Sequence, residues 1–246
     1  MAEHAPEVET QERGDVFFLY RPKVEQEEAH GLDDVERFHM VLRPEGRRLW
    51  RLVVLGRKRL PDVDAHARHW GFVDKVMNTA DEVREAFGPL SYQTKTRGER
   101  HVAAARPAGE GVYGLVRDGA GLHLAYRLEL PRDPGPVQRA LGIEAEAAYA
   151  LSIKNPEAPG AALLGEGRAR LPRAQQRLFR GRRYEAESAA PLDHEGVELL
   201  LAGEGHDAGE AGAVLPRGRG GSDLLKLLPP GRDRAGTRPP LEGVWA

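Results

Sequence analysis

The chain has 246 residues, a formal net charge of −2, 40% hydrophobic and 30% charged residues, and no cysteine. That length serves one large domain or two small ones, and the composition is that of a folded domain with polar attachments. Without cysteine there are no disulfides, thiolate metal sites, iron–sulfur clusters or cysteine nucleophiles, and no cofactor is expected.

The first residues are acidic where an export signal needs a basic patch and an apolar run, and residues 1–13 read as a disordered leader. No apolar run approaches the roughly 20 residues of a membrane-spanning helix, so a cytoplasmic location is expected by default. Val16-Phe17-Phe18-Leu19-Tyr20 is continuously apolar, the pattern of a strand covered on both faces, and Arg21-Pro22 ends it. From Val35 to Leu42 apolar and polar residues alternate, with Phe38, Met40 and Leu42 on one face and Arg37 and His39 on the other. The turn Arg43-Pro44-Glu45-Gly46 leads into a partner strand at Leu49–Leu55, giving an antiparallel hairpin.

Two consecutive helices are expected next, over about residues 63–87. Trp70, Val73, Val76 and Met77 recur at helical spacing after Pro61-Asp62-Val63-Asp64, and Thr79 with Glu82 forms a capping box ahead of Val83, Ala86 and Phe87. Strands are expected at 92–96, 101–105, 112–116 and 122–130. A short helix at 134–141, a strand at 147–153, a short helix from Pro172 to Gly181 and a last strand at 197–202 complete the set. The expectation is an α+β fold: a largely antiparallel sheet with the two helices of about 63–87 packed on one face, forming a single domain over 14–203. Residues 204–246, rich in glycine, proline and charge, read as a flexible tail that can dock back through Trp245.

Arginine dominates the basic residues, and its planar fork of donors suits carboxylates and phosphates. One cluster runs from Arg168 through Arg170, Arg173, Arg177, Arg180 and Arg182 to Arg183. On a helix Arg173, Arg177 and Arg180 would share a face, and the competing reading is an ordinary solvated surface. A second group surrounds Gly98: Lys95, Arg97, Arg100, His101 and Arg106, and Arg21 and Lys23 at the end of the first strand, with Arg57, Lys58 and Arg59 after the third, can converge on the same place because strand ends cluster. The ligand-binding candidates are therefore Arg21, Lys23, Arg97, Arg100, Arg106, Arg180, Arg182 and Arg183. Asp62, His66 and His69 stand at i, i+4 and i+7, a weak metal-ligand set if the segment is helical. His66 and His101 are the weak candidates for a general acid or base.

Gly109-Glu110-Gly111-Val112-Tyr113-Gly114 matches GxGxxG. The dinucleotide fingerprint needs a strand before it and a helix after it, and this one runs into a strand instead. The runs Gly14–Val24 and Phe179–Tyr184, with Trp70-Gly71-Phe72-Val73-Asp74 between them, resemble a group of uncharacterised bacterial proteins over residues 14 to about 203. That resemblance implies a bacterial source and one domain, and it carries no activity.

Three functions follow as expectations. The first is binding of an anionic partner (a phosphorylated metabolite, nucleic acid or an acidic protein surface) through the arginines, although the net charge does not favour nucleic acid. The second is an enzyme acting on a phosphorylated or carboxylated small molecule. The third is an assembly protein that docks through the apolar island Leu224–Leu228 of its tail.

Overall fold

The computed structural model describes residues 8–96, 98–158, 169–205, 215 and 238–245. Among the described residues eleven strands form: β1 Glu9–Pro22, β2 Val35–Pro44, β3 Trp50–Leu55, β4 Arg68–Met77, β5 Leu90–Thr94, β6 Gly98–Val102, β7 Arg106–Arg117, β8 Leu122–Leu130, β9 Glu146–Lys154, β10 Tyr184–Glu185 and β11 Glu198–Gly205. The helices are short: α1 Ala80–Phe87, α2 Pro136–Leu141, α3 Arg173–Gln176 and α4 Arg238–Glu242. The main sheet runs β9-β11-β4-β3-β2-β1-β7-β8, and β8 pairs back onto β9. Every pairing is antiparallel, so eight strands close into a barrel.

The expected α+β layering is therefore overturned in favour of a mainly-β closed barrel. The residues expected as the first of two helices form β4 instead. Val73 and Gly71 turn inward while Trp70 and Phe72 turn outward, so both faces of the strand carry apolar weight and its alternation is masked. A register shift beside Val53 moves the spacing further from a period of two. Gly71 marks a close approach, because a Cβ there would lie 2.9 Å from the Val54 carbonyl and 2.8 Å from Leu55 Cδ2. Only the second helix forms: α1 carries the capping box, with Thr79 Oγ1 accepting from Glu82 N–H and the Glu82 carboxylate accepting from Thr79 N–H.

The interior of an eight-stranded barrel is just wide enough for side chains to fill it. Val16, Phe18 and Tyr20 of β1, Phe38, Met40 and Leu42 of β2, Leu124, Tyr126 and Leu128 of β8, and Tyr149, Leu151 and Ile153 of β9 are all inward and buried. Phe18 meets Tyr126 edge-on at 5.1 Å, and Tyr126 stacks with Tyr149 at 6.3 Å. Each such side chain contributes about 1.5–3 kcal/mol on leaving water. The outer face of β1, β2 and β3 is apolar too, because α1 covers it: Val83 and Phe87 pack on Phe17, Leu19, Val41, Trp50 and Leu52. That second layer explains the unbroken apolar run at the start of the domain. β1 itself begins at Glu9, inside the stretch read as leader.

The barrel has two distinct ends. At one, which we call the cap end, β2 turns into β3, β7 turns into β8, β9 finishes, and residues 169–193 fold across the mouth with Phe179 and Leu192 buried in the core. At the other, α2 inserts Val137 and Leu141, and the C-terminal segment returns to the domain. There Trp245 packs edge-on against Tyr20 at 5.3 Å, and the buried Gln138 amide donates to the carbonyls of Ala108 and Pro239. The ribbon β5–β6 is a separate two-stranded sheet, hydrogen-bonded at this same end through Glu25 N–H to the His101 carbonyl.

Candidate anion-binding surface

Strand order places the two basic groups at opposite ends of the barrel. Arg21, Lys23, Arg100 and Arg106 belong to the far end, where β1 finishes and β7 begins. Arg180, Arg182 and Arg183 lie in the cap, where Arg183 accepts through its carbonyl from Asn155, just past the end of β9. The two groups therefore do not share one surface. Arg97 lies outside the described residues, as do Arg168 and the Leu224–Leu228 island.

The far-end group is largely spoken for. Arg21 is buried and donates to the carbonyls of Ala86, Gly88 and Ala103, tying the end of α1 to β1. Burial and the neighbouring Arg37 both push its pKa down. Arg100 faces Glu25 at 3.5 Å, and Arg106 donates to the Glu27 carbonyl. Lys23 is exposed. Glu25, whose carboxylate faces Arg100, and the nearby Glu27 and Glu28 add negative charge close to this group in the chain.

The histidine candidates separate as well. The i, i+4, i+7 face of Asp62, His66 and His69 does not exist, because the residues before β4 are turns and β4 is a strand. His66 Nδ1 lies 3.1 Å from the Gly203 carbonyl, and His69 Nδ1 lies 3.0 Å from the Arg59 carbonyl. Among the described residues no group of three histidines or carboxylates could hold a metal. His101 sits exposed on the ribbon with its Nδ1 2.8 Å from Ser91 Oγ, a cross-strand polar pair on the surface rather than in a cleft. The GxGxxG run lies within β7, and its glycines serve the barrel. A Cβ on Gly111 would fall 2.1 Å from the Arg127 carbonyl oxygen of β8.

At the cap end stands an ion-pair clamp whose residues are not among the candidates from sequence. Arg51, inward on β3 and 1% exposed, donates to Glu12 Oε1 and Oε2 at 2.5 and 2.7 Å and to Asp193 Oδ1 at 2.5 Å. Tyr113 hydroxyl donates to Glu12 at 2.6 Å, and Arg47 reaches Asp193 at 2.6 Å. Burial disfavours the Arg51 charge, but Glu12 and Asp193 outweigh it and hold the guanidinium protonated. Asp193, pushed up by burial, is pulled below its ordinary value by Arg47 and Arg51. The signal in the sequence is a lone arginine inside the apolar run Leu49–Leu55. A cleft of about 530 Å3 opens beside the clamp between Thr10–Arg13 and the β2–β3 turn. Its arginines are already paired, Arg13 with Glu45 and Arg47 with Glu12 and Asp193. An anion entering there would have to displace a carboxylate.

The cap itself differs. Between Ala169 and Ser188 the chain carries six arginines against Glu185 and Glu187. Arg180 and Arg182 take those glutamates, at 3.7 and 3.1 Å for Glu187 and 3.3 Å for Glu185. Arg170, Arg173, Arg177 and Arg183 are exposed and make no ion pair among the described residues. The expected single helix breaks here: α3 gives way to a 3-10 turn at Arg177–Phe179, and Arg180 and Gly181 adopt left-handed backbone that reverses the chain into β10. Phe179 anchors this fold-back in the core, which leaves the arginines on its outside.

β10 then brings Tyr184 onto the outer wall of the barrel. Tyr184 stands opposite Lys154, Lys154 bonds Glu198 at 2.5 Å, and Glu198 stands opposite Phe72. Trp70, one row along, reaches across to Tyr184 with ring centroids 6.0 Å apart, and the Arg183 guanidinium lies 5.6 Å from the Tyr184 ring centre. The cap thus joins these exposed arginines to an aromatic surface built from two separate parts of the chain, β4 and β10. No protein-family model, curated protein or solved structure matches this chain.

Proposed function

We propose that this protein binds a polyanionic partner through the basic cap formed by α3, the following turn and β10. The observation that carries this reading is the group Arg170, Arg173, Arg177 and Arg183, exposed and without ion-pair partners among the described residues beside only two glutamates. A net charge of −2 for the whole chain does not oppose it, because Arg21, Arg100 and Arg106 of the far end and the arginines of the cleft already have partners, backbone carbonyls for Arg21 and Arg106 and carboxylates for the others. Side chains fill the barrel interior, so the barrel serves as a rigid mount and its lumen is not the binding site.

Fluorescence anisotropy with labelled inorganic polyphosphate tests the reading. Binding should weaken with salt, as counterion release requires. The double variant Arg173→Glu/Arg177→Glu should reduce affinity at least about tenfold and flatten the salt dependence by roughly two phosphate contacts. Unchanged affinity in that variant, or no binding at low salt, contradicts it.

A further inference from the structure

We infer that the polyanion taken by the cap is a single-stranded nucleic acid, whose bases stack on the outer-wall aromatic face around Trp70 and Tyr184 while its phosphates meet the cap arginines. The inference rests on the anion-binding reading and narrows its ligand class.

Trp70 and Phe72 are i and i+2 on β4 and point to the same, outer face of the barrel, and Tyr184 points there from β10. All three are half-buried, so ring surface remains open to solvent. The buried Lys154–Glu198 pair lies in the same cross-strand row, between Phe72 and Tyr184. Around the rim stand Arg183, against the Tyr184 ring, and Arg68, exposed two residues before Trp70 and without an ion pair among the described residues.

Charge complementarity selects a polyanion, and the aromatic rings select one that offers flat faces. Single strands are held by this pairing of a basic track with stacking rings, and stacking tolerates every base. A duplex keeps its bases stacked on one another and would use only the arginines. A purely electrostatic ligand such as polyphosphate would leave the rings idle.

The test titrates the full chain with oligothymidylate, a self-complementary duplex of equal phosphate count, polyphosphate and poly-glutamate. Oligothymidylate should bind about tenfold tighter than the duplex or polyphosphate and quench tryptophan emission. Trp70→Ala and Tyr184→Ala should each lose about that tenfold for oligothymidylate alone, with the salt slope and polyphosphate binding unchanged. Trp70→Phe keeps a stacking ring and secures the test against misfolding: it should retain affinity while losing the quench. If polyphosphate binds through the arginines but oligothymidylate binds no tighter and Trp70→Ala is silent, the single-strand inference falls and the anion reading stands. If poly-glutamate shows the aromatic dependence instead, the partner is an acidic protein and the inference is overturned. If no polyanion binds, both fall.

Discussion

His39 shows how much a single position can depart from its pattern. It alternates with Phe38 and Met40, which would place it outside the barrel in solvent. α1 covers that face, so His39 is buried edge-on against Phe87 and neither ring nitrogen has a hydrogen-bond partner. Burial first, then Arg21 and Arg37, push its pKa down to about 3. Its folded value lies below the unfolded value of 6.5, so the unfolded chain binds the proton more readily between those limits. Stability associated with a neutral His39 is therefore complete above about pH 6.5 and drains away as pH falls toward 3. His39→Leu, which removes an unsatisfied polar group from an apolar layer, should be at least as stable as the parent at pH 7. Its advantage should grow by about 2 kcal/mol on going to pH 5, read as urea midpoints at the two values. Parallel pH profiles for parent and variant would show that His39 is hydrated or hydrogen-bonded. The opposite trend holds for His123. Glu204, and after the opposing effect of burial Asp118, raise it to about 9, so its support is full below about 6.5 and fades through pH 9.

Elements were legible where one rule governed them. The period-two alternation of β2 and β8, the turns after Pro44 and Arg117, and the capping box of α1 all depend on neighbours in sequence, and all were readable there. β4 was not. Trp70, Val73, Val76 and Met77 satisfy a helical spacing, while the strand they form is apolar on both faces and bulged, which erases the alternation. Closure was also hidden, because the pairing of β1 with β7 and of β11 with β4 joins segments with no local signal. The same non-local pairing carries Trp70 to Tyr184, so the arginine half of the candidate surface was visible in the sequence and the aromatic half was not. The glycines of β7 illustrate the reverse case, a motif visible in sequence whose meaning is set by packing. Gly111→Ala would drive a methyl into the Arg127 carbonyl of β8, and backbone must move to admit it. That substitution should cost about 3 kcal/mol or more and lower the melting temperature accordingly. An unperturbed melt would mean that β7 and β8 are not apposed here and would reopen the nucleotide reading of Gly109–Gly114.

At the scale of the molecule, the barrel is a spacer that keeps two basic regions apart and gives them different fates. At the far end Arg21, Arg100 and Arg106 are consumed in bonds within the fold, to the end of α1 and to the segment after β1. Around α3 and β10 the arginines are displayed on a fold-back anchored by Phe179, with Arg51, Glu12 and Asp193 fastening the adjacent mouth. Breaking a buried clamp of this kind typically costs about 3–5 kcal/mol, so the cap rests on a stiff base.

If the cap is the binding surface, position and not total charge decides binding. The most direct measurement compares polyphosphate affinity at fixed low salt for two variants of equal charge: Arg173→Glu/Arg177→Glu in the cap, and Lys23→Glu/Lys95→Glu at the far end. Affinity should fall at least about tenfold in the first and change little in the second. Equal losses in both would show a diffuse electrostatic effect, and a larger loss at the far end would place the site around Arg100 and Arg106 and contradict the account.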